Sequence, residues 1–240
     1  MFAHLPQPRP AKRRGVALPR VDHSAPRIFL RPIGSPLTIG LSGLCIASLV
    51  QSGFDLRWIA TSQATQVGLI LVIGPLILQL VACVFSYLAR DGAAGAATGI
   101  LATSWGALGL VHIVSAPGSR SGALGLLLLS AGATLTLSAL AVAVAKPLPA
   151  LVFMLAATRF YISGIYELGA GGAWRDAAGV VGLVVLGLAA YSVLAFELEG
   201  QQQHPVLPTF RRGGADAAGG NDVPAQLDGV AREPGVRQTT

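Results

Sequence analysis

Ser35-Pro36-Leu37-Thr38-Ile39-Gly40, followed by Leu41-Ser42-Gly43-Leu44-Cys45-Ile46-Ala47-Ser48-Leu49-Val50, is the stretch whose reading decides the fold. Proline has a fixed φ and no backbone N–H, so Pro36 suits the first turn of a helix and not its middle. From Leu37 to Phe54 there are 18 residues without a charge. As a helix this run is roughly 27 Å long, about the thickness of a bilayer's hydrocarbon core. Five similar apolar runs follow. The predicted fold class is an all-α integral membrane protein with six transmembrane helices.

The composition agrees. Of 240 residues, 52% are hydrophobic and 12% charged, against about 25% charged in soluble domains. The mean hydropathy is +0.62. Thirty glycines fit helices whose backbones approach closely in lipid. Seven of the seventeen basic residues lie within 1–32, which also carries six prolines. That segment is expected to be a disordered basic tail, and 213–240 a disordered C-terminal tail. A basic tail beside a membrane helix sets orientation, and nucleic acid is not an expected partner. The transmembrane domain is expected over 33–212.

The helices are expected at about 36–54, 67–89, 94–114, 122–145, 150–168 and 177–198. Arg90-Asp91-Gly92, Ser115 to Arg120, Lys146-Pro147-Leu148-Pro149 and Gly169 to Asp176 read as connections. Arg20, Arg27 and Arg31 precede the first helix and Arg211-Arg212 follow the sixth. With an even helix number both termini share a face, and the positive-inside rule makes it cytoplasmic. The expected location is the cell membrane, as a multi-pass protein.

Several chemistries lack their residues. No Gly-x-x-x-x-Gly-Lys-Ser/Thr loop exists for nucleotide phosphates. Gly118-Ser119-Arg120-Ser121-Gly122 has arginine where a hydrolase elbow has its nucleophile. His4, His23, His112 and His204 are scattered, and Cys45 and Cys83 sit in apolar runs. The expectation is no metal, no cofactor and no enzymatic activity.

Together, the motifs resemble the acetate uptake transporter family, which includes the succinate–acetate/proton symporters. That six-helix family opens on Asn-Pro-Ala-Pro-Leu-Gly-Leu, and this chain has Ile33-Gly34-Ser35-Pro36-Leu37-Thr38-Ile39, matching strictly at Pro36 and Leu37. Gln79 and Tyr87 match in the second helix. The family's Thr-Ser-Tyr-Gly becomes Thr103-Ser104-Trp105-Gly106. Ala189 and Tyr191 match in the sixth helix, and Val206-Leu207-Pro208 matches the family's ending at unchanged spacing. The resemblance covers about 33–212. It implies a homo-oligomer, commonly a hexamer, that takes up a small carboxylate such as acetate, or succinate, with a proton. It also implies a narrow point formed by Ser42, Trp105 and Leu155, where the family has Phe, Tyr and Leu. A serine there widens the path and the tryptophan partly refills it. A passive six-helix channel for a small neutral solute, such as urea or an amide, is the alternative. A membrane protein that senses or scaffolds through its basic tail is a third class.

Individual residues have two readings each. Trp105 is a packing aromatic or a pore-lining indole that needs a partner for its N–H. Ser104 and Thr103 line water, or bond a carbonyl one turn back. Gln79 is interhelical glue or a pore ligand. Gly43/Ala47, Gly95/Gly99 and Ala102/Gly106 read as close-packing pairs. Glu167, Glu197 and His112 read as boundary groups near helix ends, or as proton relays.

Arg159 lies about ten residues into the fifth helix, where an inserted charge costs roughly 2.5–3.5 kcal/mol. Glu167 lies about 12 Å further along the axis, and Glu197 near the opposite membrane face. No acid is expected at the depth of Arg159. Either it bonds carbonyls at a subunit interface, or it is a fixed positive charge that draws a carboxylate into the path.

Overall fold

The computed structural model describes residues 34–202 and 204–212. The expected tails, 1–32 and 213–240, lie outside the described residues. Among the described residues all regular structure is helical. The helices are α1 (Pro36–Asp55), α2 (Ala64–Ile73), α3 (Pro75–Leu88), α4 (Gly92–Val114), α5 (Gly122–Val142), α6 (Pro147–Glu167) and α7 (Gly172–Gln202), with a short 3-10 turn at Thr61–Gln63 before α2. Taking Thr61–Leu88 as one, six of these segments are long and apolar enough to cross a membrane.

The second span is broken, where the sequence predicts one helix over 67–89. Gly74 separates α2 from α3, and Pro75 is the first residue of α3. Pro75 offers no N–H to the preceding turn, so the hydrogen-bond ladder cannot run through it. The chain resumes with the Leu78 amide donating to Gly74 O at 3.0 Å. The other departures sit at helix ends. α6 begins at Pro147 and α7 at Gly172. Trp174, Arg175 and Asp176 are therefore helical and not loop. Prolines at Pro36, Pro75 and Pro147 each occupy a first turn, the position that tolerates a missing donor.

The spans pack in chain order and close into a ring. α1 lies against α7 and α3, α2 and α3 against α4, α4 against α5, α5 against α6, and α6 against α7. The apolar faces of the ring, with Leu126, Leu137, Val180 and Leu194 exposed, are those a bilayer would cover. Glycines set the closest approaches. A Cβ on Gly43 would meet Gln79 and Leu78 at 3.1 Å, and one on Gly106 would meet Leu76 at 3.2 Å. Two crossings that the expected small-residue pairs did not include bring glycine against glycine, Gly68 on Gly109 and Gly125 on Gly164.

At the Pro36 end of the ring the chain returns after α7. The Tyr191 hydroxyl donates to Pro208 O at 2.9 Å, and the Arg212 amide to Ala145 O at 3.0 Å. Arg211 pairs with Glu199 and lies over the Phe196 ring. Lys146 pairs with Asp91 at 2.5 Å, joining the α3–α4 and α5–α6 connections.

Candidate functional site: a buried ion pair inside the ring

The buried stripe of α1 recurs at helical spacing as Leu37, Leu41, Leu44, Ser48, Ser52 and Asp55. It points polar groups inward over its last two turns. Facing them, α6 buries Arg159 at 2% exposure. Arg159 Nη2 donates to Asp55 Oδ2 at 3.2 Å, and Arg159 Nε to Ala178 O at 3.4 Å. The remaining guanidinium nitrogen, Nη1, is buried without a partner. This corrects the expectation that no acid lies at the depth of Arg159. α1 stays helical through Asp55, and its end sits inside the ring and not in a polar loop. Arg159 also points inward, against the reading that places it at a subunit interface.

Trp105 of α4 forms one wall. It is buried at 1% exposure, its ring meets Phe160 edge-on at 5.4 Å, and the Arg159 guanidinium lies 4.9 Å from its ring centre. Its indole N–H has no partner. Guanidinium on indole is a favourable cation–π contact, stronger out of water. Gly182 of α7 leaves the room for this arrangement: a Cβ there would sit 2.7 Å from Arg159 Nε and collide with Ser52 Oγ. Gly182→Ala is therefore expected to push the guanidinium off Trp105. Tryptophan emission of the purified protein should shift. Emission identical to wild type would show that the packing absorbs the methyl group.

From the ion pair a polar thread leads to the end of the ring away from Pro36. Gln51 Nε2 donates to Asp55 Oδ1 at 2.9 Å, and Gln51 Oε1 lies 3.2 Å from His112 Nε2. These open into a funnel lined by Gln51, Asp55, His112, Ser163, Glu167 and Arg175 among others. Glu167 Oε2 accepts from the Ser121 amide at 2.8 Å, and Arg175 Nη2 donates to Phe54 O at 2.6 Å. Asp55 and Gln51, which the sequence reading did not single out, are central here. Their signal was a polar pair at i and i+4 on the inner stripe of α1.

The other expected path residues are scattered. Ser42 does not meet Trp105. Its hydroxyl bonds Thr38 O at 2.8 Å, and it lines an open lateral groove between α1 and α7 with Cys45, Ile46, Leu194 and Glu197. Leu155 is half-buried one turn before Arg159 on α6 and packs on the core. Gln79 is buried, with Nε2 donating to Gly40 O at 3.3 Å and Oε1 unpartnered. Ser104 and Thr103 bond back to Ile100 O and Gly99 O. Ala189 is fully buried in α7. Tyr191 holds the returning C-terminal segment, so the two motif parts of the resemblance, Tyr191 and Val206-Leu207-Pro208, are bonded to each other. Pro36 and Leu37 open α1, Leu37 buried.

A closed ring of six spans long and apolar enough to cross a membrane, packed around a mostly apolar core that holds a buried ion pair, defines a multi-pass helical protein with the fold of a membrane channel. The solved structure of the bacterial acetate channel SatP shares that fold with a TM-score of 0.65. The two chains are 19% identical, and the match covers 74% of this chain and 99% of SatP. No protein-family model matches the chain, and no curated protein matches it.

Proposed function

We propose that this protein passes a small monocarboxylate through the ring, acetate first and succinate as a second candidate, accompanied by a proton. It acts in the cell membrane as a homo-oligomer, a hexamer by the resemblance, with both termini on the cytoplasmic side. The observation that carries the reading is Arg159. It is a buried cation with an unpartnered N–H, set inside a fold that another protein uses as an acetate channel. Arginine stays protonated in proteins, so it attracts the carboxylate but does not carry the proton. One specific observation favours the alternative, a passive path for urea or an amide. Asp55 neutralises Arg159, and Ser48, Ser52 and Gln79 offer unpartnered polar atoms that suit an uncharged solute.

Uptake of labelled acetate and of labelled urea into proteoliposomes, with and without an inward pH gradient, separates the two. Arg159→Gln should lower acetate uptake about tenfold, the equivalent of one lost charged contact, and affect urea less. Arg159→Lys should retain part, since the charge survives and the planar fork is lost. Normal acetate uptake by Arg159→Gln in an assembled oligomer would remove the arginine from the path.

A further inference from the structure

We propose that Asp55 is the resident occupant of the anion place on Arg159, and that an entering carboxylate displaces it and leaves a proton on it. The inference rests on the carboxylate reading above.

The geometry of the pair is that of an exchangeable contact. Strong arginine–carboxylate pairs are frequently bidentate, with N···O distances of about 2.7–2.9 Å. Here a single bond of 3.2 Å joins Arg159 Nη2 to Asp55, Nε is engaged by Ala178 O, and Nη1 has no partner at 2% exposure. For an incoming carboxylate one guanidinium nitrogen is unpartnered, though buried, and the neighbouring one is held by a single bond of 3.2 Å. Asp55 has a second anchor to fall back on. Its other oxygen accepts from Gln51 Nε2 at 2.9 Å, so leaving Arg159 does not set it adrift.

Charge accounting supplies the proton. The Arg159–Asp55 pair is neutral. Adding an anion makes the group of three carry one negative charge, in an interior where an uncompensated charge is costly. A proton on the Asp55 carboxylate restores neutrality: Asp55-COO⁻ and H⁺ become Asp55-COOH, with no other bond made or broken. The groups that face Asp55 are Gln51 on its own helix, His112 of α4, Arg159 and Glu167 of α6, and Arg175 of α7. The funnel that they line reaches Asp55 directly, so the proton enters there. When the anion leaves, Arg159 recaptures Asp55 and the proton is released. Coupling of about one proton per anion follows from the charge count, with linkage between the two bindings.

Trifluoroacetate stays ionised at neutral pH, so any proton taken up when it binds must go to the protein. Calorimetry of its binding to the full-length oligomer in buffers of different ionisation enthalpy should show uptake of about one proton. Asp55→Asn, which keeps a carbonyl oxygen facing Arg159, should bind the anion with no proton uptake. In proteoliposomes this variant should take up acetate without responding to an inward pH gradient. Anion binding to the wild type with no proton uptake overturns the inference, and so does acetate accumulation by Asp55→Asn driven by the gradient as in the wild type. Either result leaves the carboxylate reading standing. If the wild type neither binds the anion nor takes up acetate, that reading falls and the inference with it. Should Asp55→Asn fail to assemble, the wild-type proton count decides alone.

Discussion

Asp55→Ala should make the folded bundle about 3–5 kcal/mol less stable, because it leaves a guanidinium buried at membrane depth without its counter-charge. Arg159 is 2% exposed and its remaining polar contact is one carbonyl at 3.4 Å. Among the described residues no second acid is bonded to it to take over. The midpoint of thermal unfolding in detergent should fall accordingly, and part of the protein should lose its oligomer on size exclusion. The double change Asp55→Leu with Arg159→Met should recover most of the loss, since an apolar pair of similar volume needs no counter-charge. An Asp55→Ala protein as stable as the wild type would mean that the pair is not closed in the membrane-embedded protein.

Gly109→Val should strongly damage the helix packing. A Cβ at that position would stand 2.8 Å from Gly68 O and 3.1 Å from Leu71 Cβ, and one on Gly68 would collide with the Gly109 carbonyl. These obstacles are backbone atoms and a Cβ, which cannot rotate away. α2 must then move off α4, at a cost of about 1–3 kcal/mol for overpacking. His112 lies on the same crossing, so the Gln51–His112 contact should open with it. The matched control is Gly187→Val. A Cβ there meets nothing within 4 Å, and its effect should stay within about 0.5 kcal/mol, as for other surface changes. Thermal unfolding of the two variants side by side checks the contrast, and equal midpoints would refute it.

The six spans were legible because length and hydropathy carry them. A run from Leu37 to Phe54 without charge leaves few alternatives, and helix ends erred only by a few residues where proline or glycine sets the first turn. The break in the second span was written in Gly74-Pro75 but concealed by the apolar residues around it.

The site was legible in part. Arg159 stood out as a charge inside a span. Its partner did not, since Asp55 closes an apolar run and reads as the start of a polar connection. Pairing them requires the relative depths of α1 and α6, which depend on how far each helix slides in the bundle. No local spacing encodes that. Ser42 shows the opposite failure. Matching it to a motif position ignored the face on which it lies. At about 100° per residue, Ser42 falls well round α1 from the stripe of Leu37, Leu41, Leu44 and Ser48. It therefore opens onto the lateral groove. Trp105 lies on the buried face of α4.

The Asp55–Arg159 pair also orders the birth of the protein. The two residues are 104 positions apart. At translation rates of about 5–20 residues per second, roughly 5–20 s separate their synthesis. Throughout that interval the carboxylate at the end of α1 lacks Arg159, its partner in the finished bundle. The intervening spans α2 to α5 are made and inserted meanwhile. The Asp55 pairing therefore forms only after α6 has delivered its arginine, and α7, which follows, closes the ring over both.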